Sequence, residues 1–156
     1  MIMETDQKHS ILYVDDEPDN LVVFKSTFRR YYTIYTATSG MEGLEIIKTT
    51  PISVIITDQR MPEMTGMQFL SQLPEEPENM RMILTGFSDI QAIIDAINSG
   101  NVYRYVSKPW DKDQLRNIID QAIAAFEKRV TLNRYIRQLE DRIAELQLQI
   151  ETTIKG

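Results

Sequence analysis

The feature that most constrains this chain is a short apolar run that ends at a single carboxylate. Residues Ile52 to Asp58 read ISVIITD, and a turn segment from Pro62 to Gly66 follows soon afterwards. A β-branched apolar run of this length is typical of a strand that is buried on both faces, as in a parallel sheet. Asp58 would then lie at the carboxyl end of a central strand, which is the edge where binding sites collect in open α/β sheets.

The rest of the chain alternates short apolar strands with amphipathic helices. Pro18 suits the first turn of a helix, and Ser88 with Asp89 suits a helix cap. Further strands are predicted at residues 11–14, 32–37, 80–84 and 102–106, and a helix follows each of the five strands. This alternation predicts an α/β fold with a parallel sheet between two layers of helices. We expect the sheet to be flavodoxin-like, doubly wound and five-stranded, with the strand order 2-1-3-4-5 that is common among such folds.

The last helix is predicted to continue far beyond the sheet. From Asp111 to about Thr152 the sequence contains neither glycine nor proline. Beyond Val130 the apolar residues alternate in steps of four and three, and this seam consists of Leu132, Ile136, Leu139, Ile143, Leu146 and Ile150. Isoleucine at position a with leucine at position d favours a parallel two-stranded coiled coil, although a short tail helix that lies along the domain is an alternative. We therefore predict a globular domain at 9–126 and a coiled-coil linker or dimerisation segment at 127–152.

Composition argues against several classes of protein. The chain has no cysteine, which excludes disulfides and thiolate metal sites and fits the cytosol. Its net charge is −6, without the clustered Lys and Arg of a nucleic-acid surface. The N-terminal residues are acidic where a signal peptide needs bases, and no apolar run approaches the roughly 18 residues of a membrane span. We expect a cytoplasmic protein that binds neither nucleic acid nor membrane.

Four predicted strands end in polar side chains, which the sheet order would bring side by side. Asp15 and Asp16 follow the first strand, Asp58 ends the third, Thr85 follows the fourth and Lys108 the fifth. Three crowded carboxylates favour a hard cation such as Mg²⁺, which with few protein ligands usually acts on phosphate. Lys108 can balance phosphate charge, and the Thr85 hydroxyl can donate a hydrogen bond to a phosphoryl oxygen. A carboxylate beside a metal is a nucleophile towards phosphate, so an aspartyl phosphate is the expected product.

These motifs resemble those of response-regulator receiver domains of two-component signalling. The resemblance covers about residues 9–126 and rests on VDDEP at Val14–Pro18, DQRMPEMTG at Asp58–Gly66, Thr85-Gly86 and Lys108-Pro109. It implies that Asp58 accepts a phosphoryl group from a sensor histidine kinase or a phosphotransfer protein. The chain would assist its own phosphorylation and dephosphorylation without being an enzyme otherwise.

The resemblance also implies individual roles. Mg²⁺ would be bound by the side chains of Asp15, Asp16 and Asp58 and by the backbone carbonyl of Arg60. Thr85 and Lys108 would hold the phosphoryl group, and Thr85 with Tyr105 would form the conformational switch. Arg60 and Phe87 occupy positions that tune the lifetime of the phosphoryl group in this family.

The output of the chain admits several interpretations. The segment Tyr103–Trp110 weakly resembles receivers that are joined to second-messenger enzymes or phosphatases, so an effector such as a diguanylate cyclase, a phosphodiesterase or a phosphatase could follow the coiled coil. Alternatively, a stand-alone receiver could bind a partner through the coiled coil. A metal-dependent phosphohydrolase with Asp58 as nucleophile is an alternative, although the haloacid-dehalogenase-like pattern is absent because Arg60 stands where that pattern has a second Asp. A leucine-zipper DNA binder is disfavoured, because the basic residues near the seam are too few for a basic region.

Overall fold

The computed structural model describes residues 8–74, 79–86, 90–99 and 102–156. Within them, strands and helices alternate as predicted. The elements are β1 (Ser10–Val14), α1 (Pro18–Phe28), β2 (Thr33–Ala37), α2 (Gly40–Thr49), β3 (Val54–Asp58), α3 (Gly66–Ser71), β4 (Met80–Thr85), α4 (Ile90–Asn98), β5 (Arg104–Ser107) and α5 (Lys112–Lys155). The strands form one sheet in the order β2-β1-β3-β4-β5 with every neighbouring pair parallel, which confirms the predicted doubly wound fold.

The sheet separates two apolar layers because successive residues of a strand point to opposite faces. In β1, Ile11 and Tyr13 pack in one layer, while Leu12 and Val14 pack in the other. Helices α1 and α5 cover the first layer, and α2, α3 and α4 cover the second. All five residues of β3 are buried, as the apolar run that ends at Asp58 predicts for a central strand.

The helices begin where their capping residues indicate. Pro18 is the first residue of α1, the Ser39 hydroxyl accepts a hydrogen bond from the backbone N–H of Glu42, and Asp111 accepts one from that of Gln114. Thr65 and Gln68 form a reciprocal capping box at the start of α3. Each of these contacts satisfies a backbone N–H of the first helical turn that has no partner within the helix.

The fifth strand begins two residues later than the sequence suggests. The backbone N–H of Val102 donates to the carbonyl of Ala96 near the end of α4, and the register with β4 begins at Arg104, opposite Met82. Some predicted features lie outside the described residues. They are Phe87 and the cap at Ser88 and Asp89.

The chain divides into two compact units, Met1–Phe126 and Glu127–Gly156, and α5 is one uninterrupted helix of 44 residues that contributes to both. In the second unit, the six seam residues are between 40% and 58% exposed in this single chain. Among the described residues, no helix combines the length and the apolar character that crossing a membrane requires. The cytoplasmic location stays a prediction.

Candidate functional site

The carboxyl edge of the sheet brings the predicted site residues together. Asp58 is the last residue of β3, and Thr85 is the last residue of β4, the neighbouring strand. The backbone N–H of Lys108 donates to the carbonyl of Thr85 at 2.9 Å, which ties the end of β5 to the end of β4. Asp15 follows directly after β1, on the other side of β3. The site therefore lies at the switch point of the doubly wound sheet.

Three carboxylates form a compact acidic cluster at this edge. One oxygen each of Asp15, Asp16 and Asp58 can be chosen so that all three lie within 4.8 Å of one another. Asp15 is fully buried, Asp58 is buried and Asp16 is half-buried. Three clustered carboxylate oxygens suit a hard divalent cation that keeps some of its water, so these residues fit Mg²⁺.

A lysine approaches the acidic cluster from the end of β5. The Nζ atom of Lys108 lies 2.6 Å from Oδ1 of Asp58. Burial raises the pKa of Asp58 above its ordinary value of 3.8, and the neighbouring charge of Asp15 raises it further, whereas the hydrogen bond and the charge of Lys108 lower it. Burial and the charge of Asp15 therefore disfavour the ionised form of Asp58, whereas Lys108 favours it, and a divalent cation would favour it further.

Three donors fix the carboxylate of Asp15. The Tyr13 hydroxyl donates to its Oδ2 at 2.8 Å, and the Asn20 side-chain amide donates to the same oxygen at 3.1 Å. The backbone N–H of Glu17 donates to Oδ1 at 3.0 Å. Burial, followed by the hydrogen bond to Asp15, raises the pKa of the Tyr13 phenol, so the phenol stays protonated and remains a donor.

The loop after Asp58 is held by its own backbone. Gln59 is buried, its side-chain oxygen accepts a hydrogen bond from the backbone N–H of Met67, and its carbonyl accepts one from Gly66. A Cβ atom on Gly66 would lie 2.4 Å from the carbonyl oxygen of Asp58, so this position has no room for a side chain. The close approach of Gly66 explains why the turn ends in glycine, and it fixes the backbone of Asp58.

The two predicted switch residues lie on neighbouring strands. Thr85 is buried, and its hydroxyl donates to the carbonyl of Gly86 at 2.9 Å. Tyr105 is half-buried, pairs in register with Ile83 and packs against the layer that α2, α3 and α4 cover. Arg60 lies in the loop after Asp58 with an exposed side chain. The switch roles of Thr85 and Tyr105, and the metal-binding role of the Arg60 carbonyl, stay predictions.

A cavity of about 500 Å³ opens beside Lys108. Val23, Pro109 and Trp110 give it apolar walls. Tyr13 and Asn20, which bind Asp15, also line this cavity. Their contacts with Asp15 were missed in the sequence, where a tyrosine in a buried strand indicates only core packing. The available signal was spacing, because residues two apart in an extended segment point to the same side.

The chain is similar in sequence to several known proteins. A family model described as the response regulator receiver domain matches residues 11–120. The hydrogenase transcriptional regulatory protein HoxA of Cupriavidus necator is 34% identical over 122 residues, which are 78% of this chain and 25% of that protein. A probable cyclic di-GMP phosphodiesterase of Vibrio cholerae is 39% identical over 92 residues, 57% of this chain and 21% of that protein.

Solved structures share the fold. A crystal structure described as adenylate cyclase from Rhodopirellula baltica has a TM-score of 0.80 at 29% identity, and the match covers 83% of this chain and 98% of that one. The chain spans about a quarter of the length of the curated relatives that it matches.

Proposed function

Because the chain belongs to the response-regulator receiver domain family, we propose that it is switched by phosphorylation of Asp58, with a sensor histidine kinase or a phosphotransfer protein as donor. The observation that carries this proposal is the position of the Asp58 carboxylate, which belongs to the acidic cluster and lies 2.6 Å from Lys108 Nζ. An acceptor carboxylate needs this combination, because the incoming phosphoryl group is anionic and must be neutralised from both sides.

Asp15, Asp16 and Asp58 would hold Mg²⁺ together with the backbone carbonyl of Arg60. When bound, this ion neutralises the negative charge that collects around the phosphoryl group. A carboxylate oxygen of Asp58 attacks the phosphorus atom, the new O–P bond forms, and the P–N bond to the donor imidazole breaks. The imidazole leaves with the bonding electron pair and is protonated as it departs.

Lys108 and Thr85 would then act on the product. In the unphosphorylated chain the ammonium of Lys108 contacts Asp58, and after transfer it would pair with a phosphoryl oxygen. The Thr85 hydroxyl now donates to Gly86 and would donate to the phosphoryl group instead. Movement of Thr85 out of its present position would leave space for Tyr105 to turn inward, which changes the surface of α4, β5 and α5.

The seam of α5 supports a parallel homodimer as the output device. Its six apolar side chains follow the four-three spacing and are 40–58% exposed in a single chain, so pairing with a second copy would remove them from water. We propose that phosphorylation alters this pairing and thereby controls an effector domain beyond the seam. The names of the relatives suggest transcriptional control or cyclic di-GMP hydrolysis as effector functions.

Acetyl phosphate with Mg²⁺ tests the acceptor. We expect intact-mass measurement to show one added phosphoryl group on the wild-type chain and none on Asp58→Asn. Asp19→Asn is the matched control because Asp19 is an exposed acid in the first turn of α1 and should leave labelling intact. Chelation of Mg²⁺ should stop the reaction, and equal labelling of Asp58→Asn would refute the assignment.

A further inference from the structure

The hydroxyl group of Tyr13 contacts the acidic cluster from inside the protein. Tyr13 is only 2% exposed, and its ring stacks on Phe24 with centroids 4.2 Å apart. This packing fixes the ring, and the ring fixes its hydroxyl 2.8 Å from Oδ2 of Asp15. The contact is therefore made by a group that packs in the apolar layer between the sheet and α1.

The contacts of Asp15 divide between its two oxygens. Oδ2 accepts from both Tyr13 and Asn20, while Oδ1 accepts from the backbone N–H of Glu17. A carboxylate held by three donors cannot rotate freely, although it belongs to the cluster that fits a divalent cation. A group that hydrogen-bonds to a metal-ligating residue orients that residue, and loss of such a group typically weakens metal binding by about 10–100-fold.

We infer that Tyr13 is a positioning residue for the divalent-cation site: its hydroxyl group sets the orientation of the Asp15 carboxylate. This inference rests on the proposed function, because it assigns Tyr13 to the same cation site. The simpler alternative is that Tyr13 is a core residue whose hydroxyl takes the nearest acceptor, in which case its loss would change stability and leave cation affinity alone.

The chain supplies a matched control in Tyr32. This tyrosine is also buried, and its hydroxyl donates to Oδ1 of Asp120 at 2.5 Å. Asp120 belongs to α5 and is not a member of the acidic cluster. Tyr13→Phe and Tyr32→Phe each remove one tyrosine–aspartate hydrogen bond and keep the ring. Both should lower thermal stability, but only the first should change cation binding.

The measurement uses Mn²⁺ as the probe and the full chain. Binding is followed as loss of the electron paramagnetic resonance signal of the free hexaaqua ion, and Mg²⁺ is then titrated as a competitor. We expect Tyr13→Phe to raise the Mn²⁺ dissociation constant about tenfold and to weaken Mg²⁺ competition in the same direction. Tyr32→Phe should match the wild type. A Tyr13→Phe dissociation constant within about twofold of the wild type would overturn the inference.

A second variant reports on the same carboxylate from outside the core. Asn20→Ala removes the other side-chain donor to Oδ2, and because Asn20 is only half-buried, the variant should fold. We expect weaker Mn²⁺ binding here as well, and unchanged binding would count against the inference. Wild-type protein that binds neither ion would refute the cation site itself. If the wild-type protein binds Mn²⁺ and is labelled on Asp58, but Tyr13→Phe has an unchanged Mn²⁺ dissociation constant, only the role of Tyr13 is refuted.

Discussion

Lys108 pairs with Asp58 across the ends of two strands, with Nζ 2.6 Å from Oδ1. The two side chains differ in exposure, because that of Asp58 is 10% exposed while that of Lys108 is 33% exposed. The acceptor Asp58 is therefore buried, and Lys108 contacts it from the more exposed side of the site. Because the Lys108 ammonium is partly exposed, it can move from the Asp58 carboxylate to a phosphoryl oxygen bound on Asp58.

The first prediction concerns Lys108→Ala. We expect the variant to fold and to bind Mg²⁺, because Lys108 is not a metal ligand, but to fail to convert phosphorylation into a change of dimerisation. Beryllofluoride, which stands in for the phosphoryl group on Asp58, should tighten the wild-type dimer by roughly fivefold or more, as ordinary coupling energies allow. Sedimentation velocity measures this change. Lys112→Ala is the control for loss of an exposed lysine, and a wild-type response from Lys108→Ala would show that its assigned role is wrong.

The second prediction concerns stability and pH. The pKa of Asp58 is raised by burial and by Asp15, so Asp58 binds its proton more tightly in the folded state than in the unfolded state. Its contribution to stability is therefore present below pH 3.8, the ordinary pKa, and is lost as pH rises through the raised value. At pH 7 without Mg²⁺, we expect Asp58→Asn to unfold at a higher temperature than the wild type.

Thermal denaturation across a pH series checks this sign. The advantage of Asp58→Asn should shrink as pH falls towards 3.8, since the wild-type carboxyl becomes neutral too. Addition of Mg²⁺ at pH 7 should also reduce the difference, because the cation stabilises the wild-type cluster more than the neutral variant. A variant that is less stable than the wild type at pH 7 would mean that the Lys108 contact outweighs burial.

The sequence predicted that Asp15, Asp16, Asp58, Thr85 and Lys108 meet, because alternating strands and helices indicate a parallel sheet whose strands all end at one edge. It did not predict Arg81, a charged residue inside β4 that is only 2% exposed. Its guanidinium donates to the side chain of Asn79 and to the carbonyls of Leu70 and Pro74. The positions of carbonyl acceptors depend on the path of the backbone, so the pattern of residue types does not predict them. The Tyr13–Asp15 contact was missed for a related reason, since ring packing sets where its hydroxyl lies.

The third prediction compares two glycines near the site. In Gly66→Ala the new Cβ would lie 2.4 Å from the carbonyl oxygen of Asp58, so the backbone must shift. We expect a loss of about 1–3 kcal/mol in the free energy of unfolding, as for other overpacked sites, together with slower phosphorylation, because Asp58 moves. In Gly86→Ala the Cβ meets no atom of the described residues within 4 Å, so this variant is the control for stability and should unfold near the wild type. Urea denaturation and acetyl phosphate labelling measure both effects, and equal behaviour of the two variants would contradict the steric argument.

The last prediction concerns the seam. Three pairs of a and d residues form only a short coiled coil, so a coupling of roughly 1–3 kcal/mol would change its population or register substantially. In a parallel dimer each a residue meets its own counterpart, so single cysteines at Ile136 and Ile143 should cross-link within a dimer. A cysteine at Asp141 lies on the opposite face of the helix and should not. We expect beryllofluoride to change the yield at one or both a positions. Equal yields at both positions with and without beryllofluoride, over a range of protein concentrations, would show that the helix is passive and that phosphorylation does not act through it.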